Sequence, residues 1–366
     1  MRSNLGESCV KHNSEGSSVV LSQTPANVIR GPHLVDRVIF VGGHPGCGKT
    51  LMTPIVGSLA RVEIQKANYF LEHICSLRFL DRIDDQVATV LIRMLTDLDL
   101  YHLMMSRETN FRFSDLTSVF KNPGTLRYIR RLFQPGDAVA RERIKTTKPI
   151  LQILAHNLLV LSPSLFKALG DRLRVLEVVR HPLYMIKQWY LYIERYGTDV
   201  RDFTICFDYE GNSLPFFASG WEEKYVRANS MDKVIYSIEH LSLLGERVLH
   251  NLPEREKKQI LVVPFERFVL DPWPYLRRLE SLLETEVTSL TRRELKRQKV
   301  PRKMIADGIA LPIYKEYGWE PPKKNSNEAK ELGERREFAA QHASREAMEV
   351  LDRLSIEYEQ KRLEGK

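Results

Sequence analysis

Residues 43–50, near the start of the chain, have the types and spacing of a loop that binds a phosphate group. They read GHPGCGKT and match the pattern G-x-x-x-x-G-K-[ST] at every required position. Glycines in such a loop let backbone N–H groups point at an anion, and the following helix presents the positive end of its dipole to the same point. Lys49 adds a full positive charge. The predicted phosphate-binding residues are Pro45, Gly46, Cys47, Gly48, Lys49, Thr50 and Leu51.

Arg180 is a candidate for a second anion contact. It directly follows the apolar run 173–179 and lies two residues before Pro182. A guanidinium group has the forked geometry that suits a phosphate monoester. A surface ion pair is the alternative interpretation, but the position at the end of a buried strand and before a proline favours ligand binding.

His156 is the first candidate for a general base. It follows another predicted strand, residues 149–154, and a neutral imidazole there could accept the proton of an attacking hydroxyl group. A histidine that bonds only to the backbone at the strand end fits the sequence as well. Weaker candidates for the base are Glu72, Glu177 and His181.

The phosphate loop alone would also suit a kinase or a GTPase, in which Lys49 reaches the β and γ phosphates and Thr50 holds Mg²⁺. Such enzymes usually place an Asp at the end of a neighbouring buried strand. Here Glu266 is the only acidic residue at such a strand end, and the chain has no N-K-x-D motif for guanine. A Mg-ATP-dependent small-molecule kinase therefore remains an alternative, as does a nucleotide-binding protein without catalytic activity.

The elements that must position these residues follow from the apolar pattern. Four apolar runs, residues 38–41, 149–154, 173–179 and 260–264, predict buried strands. Helical periodicity lies between them, for example over residues 229–251. Strands that alternate with helices predict a three-layer α/β/α fold with a central, mostly parallel sheet. A helix is expected over residues 51–61, with a kink or an early end at Pro54.

Three segments are expected along the chain. Residues 1–30 are rich in Ser, Asn and Gly and predict a flexible leader. Residues 31–325 form the predicted phosphate-loop domain, in which about 69–148 is a helical, loop-rich insertion on the substrate side. Residues 326–366 predict a charged C-terminal helix packed on the domain.

Composition limits the functional classes. The net charge of +8 over 366 residues favours an anionic ligand, although charge does not identify it. Four scattered cysteines without a C-x-x-C pair indicate neither a disulfide framework nor a zinc site. No apolar run is long enough to span a membrane, and no signal peptide is recognisable, so we expect a cytoplasmic protein with no nucleic-acid partner.

Three segments resemble the sulfotransferases that use 3′-phosphoadenosine 5′-phosphosulfate (PAPS). The segment GGHPGCGKTLM is similar to the 5′-phosphosulfate loop of that family, and VLEVVRHPLYMIKQWY is similar to its 3′-phosphate segment. The segment ILVVPFERFVLDPWPYLRRLESLL resembles a strand, turn and helix near the end of that fold. The residues in register are Gly43, Pro45, Gly48, Thr50, Met52, Arg180, Pro182, Glu266, Asp271 and Pro272.

This resemblance implies a fold like that of the P-loop nucleoside triphosphate hydrolases, PAPS as the cofactor, and no obligatory metal. The sulfuryl group would pass to a hydroxyl or amine of a small-molecule or carbohydrate acceptor, with His156 as the base and Arg180 on the 3′-phosphate. Gln188 stands where the family has a Ser that binds the 3′-phosphate. Gly46 stands where the family has a Lys or Arg, so Lys49 would meet the charge of the leaving group.

Two weaker features complete the expected site. The late basic clamp of the family is echoed by Arg302, Lys303 and Gly308. Aromatic side chains could line an acceptor pocket, although such residues at helical spacing more often belong to a core. These are Trp189, Tyr190, Tyr192, Tyr196, Phe216, Phe217 and Trp221.

Overall fold

The computed structural model describes residues 27–115, 117–309, 315, 320, 322 and 326–364. The predicted leader, residues 1–30, lies outside the described residues except for its last four. None of the described helices is both long enough and apolar enough to cross a lipid bilayer.

A five-stranded parallel sheet forms the centre of the fold, in the order β2-β3-β1-β4-β7, and a separate hairpin contains β5 and β6. The sheet confirms the predicted α/β architecture with a central parallel sheet. The strands are β1 Arg37–Gly42, β2 Lys66–Ala67, β3 Ile150–Leu154, β4 Leu173–Val179, β5 Cys206–Tyr209, β6 Asn212–Pro215 and β7 Ile260–Pro264.

Helices connect and cover the strands. α1 packs on β1, α6 packs on β1 and β4, and α11 and α12 pack on β7. The α-helices are α1 Lys49–Val56, α2 Tyr69–Phe79, α3 Asp85–Met104, α4 Thr125–Leu132, α5 Asp137–Thr147, α6 Leu158–Leu169, α7 Pro182–Tyr190, α8 Glu222–Arg227, α9 Ser230–Asn251, α10 Glu254–Lys257, α11 Phe265–Leu270, α12 Trp273–Leu283, α13 Ser289–Arg297, α14 Glu328–Ala340 and α15 Arg345–Tyr358. Shorter helical turns are Val119–Lys121, Gly170–Arg172, Ile193–Arg195, Phe216–Ala218 and Glu359–Glu364.

The strands β1 and β4 are central, and almost all of their side chains are buried. In register, Val41 pairs with Leu154 of β3 on one side and with Leu176 of β4 on the other. Because all three strands are parallel, their carboxyl ends meet at one edge of the sheet. The phosphate loop, His156 and Arg180 follow these ends, so the topology brings the candidate residues to the same edge.

The first helix ends soon after Pro54, which agrees with the predicted early end. α1 begins at Lys49 and ends at Val56, two residues after Pro54, and the sequence predicted a helix over 51–61 with a kink or an early end at this proline. The N–H of Gly57 still bonds to the carbonyl of Thr53 and closes the last turn. The chain then leaves the helix, and Arg61 takes a positive φ of 63°.

The C-terminal segment contains two helices where a single one was predicted. α14 packs on α7, and α15 packs on α9. The chain turns between them because the carboxylate of Asp232 accepts the N–H of Ser344 at 2.8 Å, and the hydroxyl of Ser344 caps α15. This turn places α14 beside the helix that follows Arg180.

Candidate functional site

The phosphate loop, residues 43–50, connects β1 to α1 through glycines with positive φ angles. Gly43, Gly46 and Gly48 have φ of 136°, 80° and 106°. A Cβ atom added to Gly48 would overlap the ring of Phe265, and one added to Gly43 would overlap the carbonyl oxygen of Val178. The loop therefore needs glycine both for its backbone conformation and for its close packing on the ends of β4 and β7.

Lys49 lies across the loop rather than in solvent. Its Nζ donates to the carbonyl of Gly43 at 2.7 Å and to the carbonyl of His44 at 2.9 Å. The residue is 7% exposed. The ammonium is thus held at the loop before any ligand binds, which suits a group that must meet developing charge without rearrangement.

A cavity of about 370 Å³ opens beside the loop and collects most of the predicted site residues. Its wall also contains Asn157, which directly precedes α6 and has a left-handed φ of 48°. Cys47 is the exception among the predicted loop residues, because its side chain lines a second cavity, of about 540 Å³, behind the loop. The predicted residues in the wall of the first cavity are Pro45, Gly46, Gly48, Lys49, Thr50, Leu51, His156, Arg180 and Gln188.

Arg180 is fixed by the loop and by two aromatic rings. Its Nη1 donates to the carbonyl of Gly46 at 2.9 Å. Its guanidinium carbon lies 4.3 Å from the ring centroid of Phe265 and 4.9 Å from that of Tyr184, which are cation–π distances. Its Nε is buried and has no hydrogen-bond partner within the part of the chain that is described. The guanidinium group is therefore held in place but keeps an N–H group without an acceptor among the described residues. In a surface ion pair, a carboxylate would accept from it.

His156 has a carboxylate partner that the sequence did not reveal. Its Nδ1 lies 3.2 and 3.3 Å from the two carboxylate oxygens of Glu72 on α2. The imidazole is 41% exposed and the Glu72 side chain is 18% exposed, and both residues line the first cavity. A carboxylate that accepts from Nδ1–H leaves Nε2 as the proton acceptor of the ring. Glu72 was only a weak base candidate from the sequence, because nothing there placed α2 beside β3.

The two other base candidates lie away from this cavity. Glu177 on β4 is 4% exposed and lines the second cavity, behind the loop. Burial raises the pKa of Glu177 to about 8, although the positive charge of Lys49 acts in the opposite direction. His181 caps α7, its Nε2 lies 3.1 Å from a carboxylate oxygen of Glu359, and burial lowers its pKa.

Glu266, the acidic residue at the end of β7, is already committed to protein partners. It is 2% exposed, and its carboxylate accepts the N–H of His181 at 2.9 Å and the hydroxyl of Tyr358 at 2.5 Å. Glu266 does not line the cavity that contains Thr50. Within the described ranges, no cluster of three His, Cys, Asp or Glu side chains could hold a metal ion.

Part of the expected aromatic set lines the first cavity. Phe216 and Phe217 line it and directly follow the hairpin β5–β6. The turn of this hairpin has positive φ at Glu210 and Gly211. Trp189 is fully buried in the core, and neither Tyr190 nor Trp221 lines the cavity. The aromatic residues in the wall are Tyr69, Tyr184, Tyr192, Tyr196, Phe203, Phe216, Phe217 and Phe265.

Several basic residues complete the wall. Arg302 and Gly308 of the predicted clamp line the cavity, whereas Lys303 is exposed and does not. Sequence reasoning missed Arg335, which reaches the cavity from α14. In the sequence Arg335 is one of many charged residues in a predicted solvent-exposed helix face, so no signal distinguished it.

Comparisons with known proteins find solved structures that are similar to this chain at low sequence identity. No family model matches the chain, and no curated protein matches it significantly. A sulfotransferase domain from the curacin biosynthetic pathway aligns at 10% identity with a TM-score of 0.39, over 85% of this chain and 99% of that one. A sulfotransferase from Mycobacterium avium aligns at 13% identity with a TM-score of 0.41, over 90% and 77% of the two chains.

A third solved structure is the sulfotransferase domain of the olefin synthase from Synechococcus PCC 7002. It aligns at 12% identity with a TM-score of 0.38, over 85% of this chain and 97% of that one. The chain is thus similar, at low identity, to solved sulfotransferases.

Proposed function

We propose that the chain is a PAPS-dependent sulfotransferase that acts on a hydroxyl or amine of a small-molecule or carbohydrate acceptor. The observation that carries this proposal is the contact between Arg180 and the phosphate loop. Arg180 donates to the carbonyl of Gly46, and both residues line the cavity that contains Lys49 and Thr50. One cavity therefore offers two anion-binding groups, and PAPS carries anionic groups at both of its ends.

The residues fit this cofactor. The loop amides and Lys49 would hold the 5′-phosphosulfate, and Arg180, whose buried Nε has no partner within the described ranges, would hold the 3′-phosphate. Gln188 also lines the cavity and could donate from its amide to the same phosphate. Bound PAPS would supply the sulfuryl group, while the chain supplies charge, orientation and a proton acceptor.

The proton acceptor is His156. Its Nδ1 faces the carboxylate of Glu72, which holds the ring and favours the tautomer with a free Nε2. Nε2 would take the proton of the acceptor hydroxyl, and Glu72 would stabilise the imidazolium that results. Lys49, already fixed at the loop, would meet the negative charge that develops on the leaving phosphate.

The intact G-K-T sequence favours the kinase alternative, but the two acidic residues on β4 and at the end of β7 are not placed for it. Glu266 is occupied by His181 and Tyr358, and Glu177 lines the other cavity. Neither carboxylate shares the cavity wall with Thr50, where the magnesium of a kinase would be held. The proposed cytoplasmic location and the absence of a nucleic-acid partner stay predictions.

Isothermal titration calorimetry tests the proposal. Wild-type protein should bind 3′-phosphoadenosine 5′-phosphate, called the bisphosphate below, more tightly than ATP, whether or not Mg²⁺ is present. The Arg180→Ala variant should lose about 2–5 kcal/mol of binding free energy for the bisphosphate, because a bidentate, charge-assisted contact is removed. Tighter binding of ATP with Mg²⁺ would instead support a kinase, and bisphosphate binding without turnover on any acceptor would support a non-catalytic protein.

A further inference from the structure

Three guanidinium groups in the cavity wall share two aromatic rings. The guanidinium carbon of Arg180 lies 4.9 Å from the ring centroid of Tyr184, and that of Arg335 lies 4.5 Å from the same centroid. On the other side of Arg180, the ring of Phe265 is 4.3 Å from Arg180 and 5.7 Å from Arg302. The rings hold like charges close together at one end of the cavity.

This arrangement is electrostatically unfavourable in the absence of an anion. Burial lowers the pKa of Arg335, and the nearby charge of Arg180 lowers it further. The carboxylates of Glu331 and Glu328 act in the opposite direction, but both are shared with other donors. Glu331 lies 3.7 Å from its Nη2 and also accepts the hydroxyl of Ser326, while Glu328 accepts the hydroxyl of Tyr184 and the N–H of Ile305.

The hydrogen-bonding capacity of the two arginines points to a missing acceptor. The Nε of Arg180 and the Nε of Arg335 are both buried, and neither has a hydrogen-bond partner among the described residues. Both residues line the first cavity, and the Arg335 side chain is 19% exposed. Buried donors are rarely left unpaired, so each guanidinium group has capacity for a further acceptor. A dianionic phosphate monoester offers three acceptor oxygens and enough charge to offset two guanidinium groups.

We propose that Arg335, on α14, binds the same 3′-phosphate as Arg180, so that the C-terminal helices α14 and α15 form part of the nucleotide site. This inference rests on the proposed function, because it concerns the 3′-phosphate of that nucleotide. It assigns a binding role to a segment that would otherwise only cover the domain. The role depends on the packing of α14 on α7, which brings Arg335 to the ring of Tyr184.

The neighbouring residue provides a matched control. Arg336 follows Arg335 on the same helix, is exposed, and pairs with Asp352 through hydrogen bonds of 2.8 and 2.7 Å. The variants Arg335→Gln and Arg336→Gln therefore remove the same charge from adjacent positions, only one of which faces the cavity. The probes are 3′-phosphoadenosine 5′-phosphate and adenosine 5′-monophosphate, which differ by the 3′-phosphate alone.

Calorimetry should show that Arg335→Gln weakens binding of the bisphosphate by about 10- to 100-fold, the usual effect of losing one hydrogen bond to a charged group. Binding of adenosine 5′-monophosphate should change by less than about threefold, since that ligand lacks the phosphate in question. Arg336→Gln should leave both affinities unchanged. Arg335→Lys keeps the charge but not the planar guanidinium group, so it should give an intermediate loss of affinity for the bisphosphate. This variant serves as the test if Arg335→Gln does not fold.

Two outcomes would overturn the inference, and they differ in what they say about the proposed function. If wild-type protein prefers the bisphosphate but Arg335→Gln keeps the wild-type ratio between the two ligands, Arg335 has no part in the site and the proposed function stands. If wild-type protein does not distinguish the two ligands, no 3′-phosphate is recognised, and both proposals fail.

Discussion

Glu177→Gln tests whether a buried carboxyl group behind the phosphate loop is neutral in the folded protein. Glu177 lies opposite Gly42 in the sheet, and its Oε2 has no hydrogen-bond partner among the described residues. Burial raises its pKa from the ordinary 4.5 to about 8. Between these two pH values the folded chain keeps a proton that the unfolded chain releases. The contribution of Glu177 to stability is therefore fully present below about pH 4.5 and is lost as the pH rises through about 8.

The size of the effect follows from the two pKa values. At about 1.4 kcal/mol per pH unit, the interval from 4.5 to about 8 sets an upper limit of about 5 kcal/mol on the stability lost. Gln keeps the shape and the hydrogen-bonding capacity of the neutral acid but does not ionise. Glu177→Gln should therefore be about as stable as wild type at pH 5 and about 2–5 kcal/mol more stable at pH 8.5.

The assay is urea unfolding followed by circular dichroism at pH values from 5 to 9. The quantity of interest is the difference in free energy of unfolding between the variant and wild type, plotted against pH. Glu337→Gln, at an exposed position on α14, is the control and should give a flat difference. A Glu177→Gln variant that loses stability at pH 8.5 would refute the reasoning, because it would mean that Glu177 is ionised and stabilised by the positive charge of Lys49.

Two further predictions concern turnover, measured with PAPS and a panel of hydroxyl acceptors. Lys49→Ala should lower kcat by about 10²- to 10³-fold, the usual cost of removing one preorganised donor, with a smaller loss of nucleotide affinity because the loop amides and Arg180 remain. Near-wild-type rates would place the catalytic charge elsewhere. Glu72→Gln should lower kcat by about 10- to 100-fold with an unchanged KM for the nucleotide, since it weakens the support of His156 without touching the phosphate loop. Glu72→Asp should restore part of the rate, and an equal loss in kcat and nucleotide affinity would indicate a merely structural role.

The long apolar runs predicted the sheet well. Strands β4, Leu173–Val179, and β7, Ile260–Pro264, have the predicted bounds, because continuous apolar runs are typical of strands buried on both faces. The two-residue strand β2 and the hairpin β5–β6 were not predicted, since neither is long or apolar enough to give a signal. The turn between α14 and α15 depends on Asp232, more than a hundred residues away along the chain, so the local pattern could not reveal it.

The candidate site was predictable where it follows strand ends. The carboxyl ends of adjacent parallel strands must meet, so a phosphate motif after β1, a histidine after β3 and an arginine after β4 lie at one edge of the sheet. The direction of individual side chains in the loop was not predictable. Cys47, within the motif, faces the second cavity because the loop turns through glycines with positive φ on both sides of it.

In the proposed site, the residue that would add recognition of a second phosphate group is positioned by packing rather than by a motif. The loop from Gly43 to Thr50 holds a phosphate in many classes of protein, and it does not separate a kinase from a sulfotransferase. Arg335 and Arg336 show why such a residue escapes a sequence pattern: they are adjacent and chemically identical, yet one lies against Tyr184 in the cavity and the other pairs with Asp352 at the surface. The difference arises only when α14 packs on α7. If Arg335 binds the 3′-phosphate as proposed, nucleotide specificity in this chain depends on the docking of a terminal helix as well as on the phosphate loop.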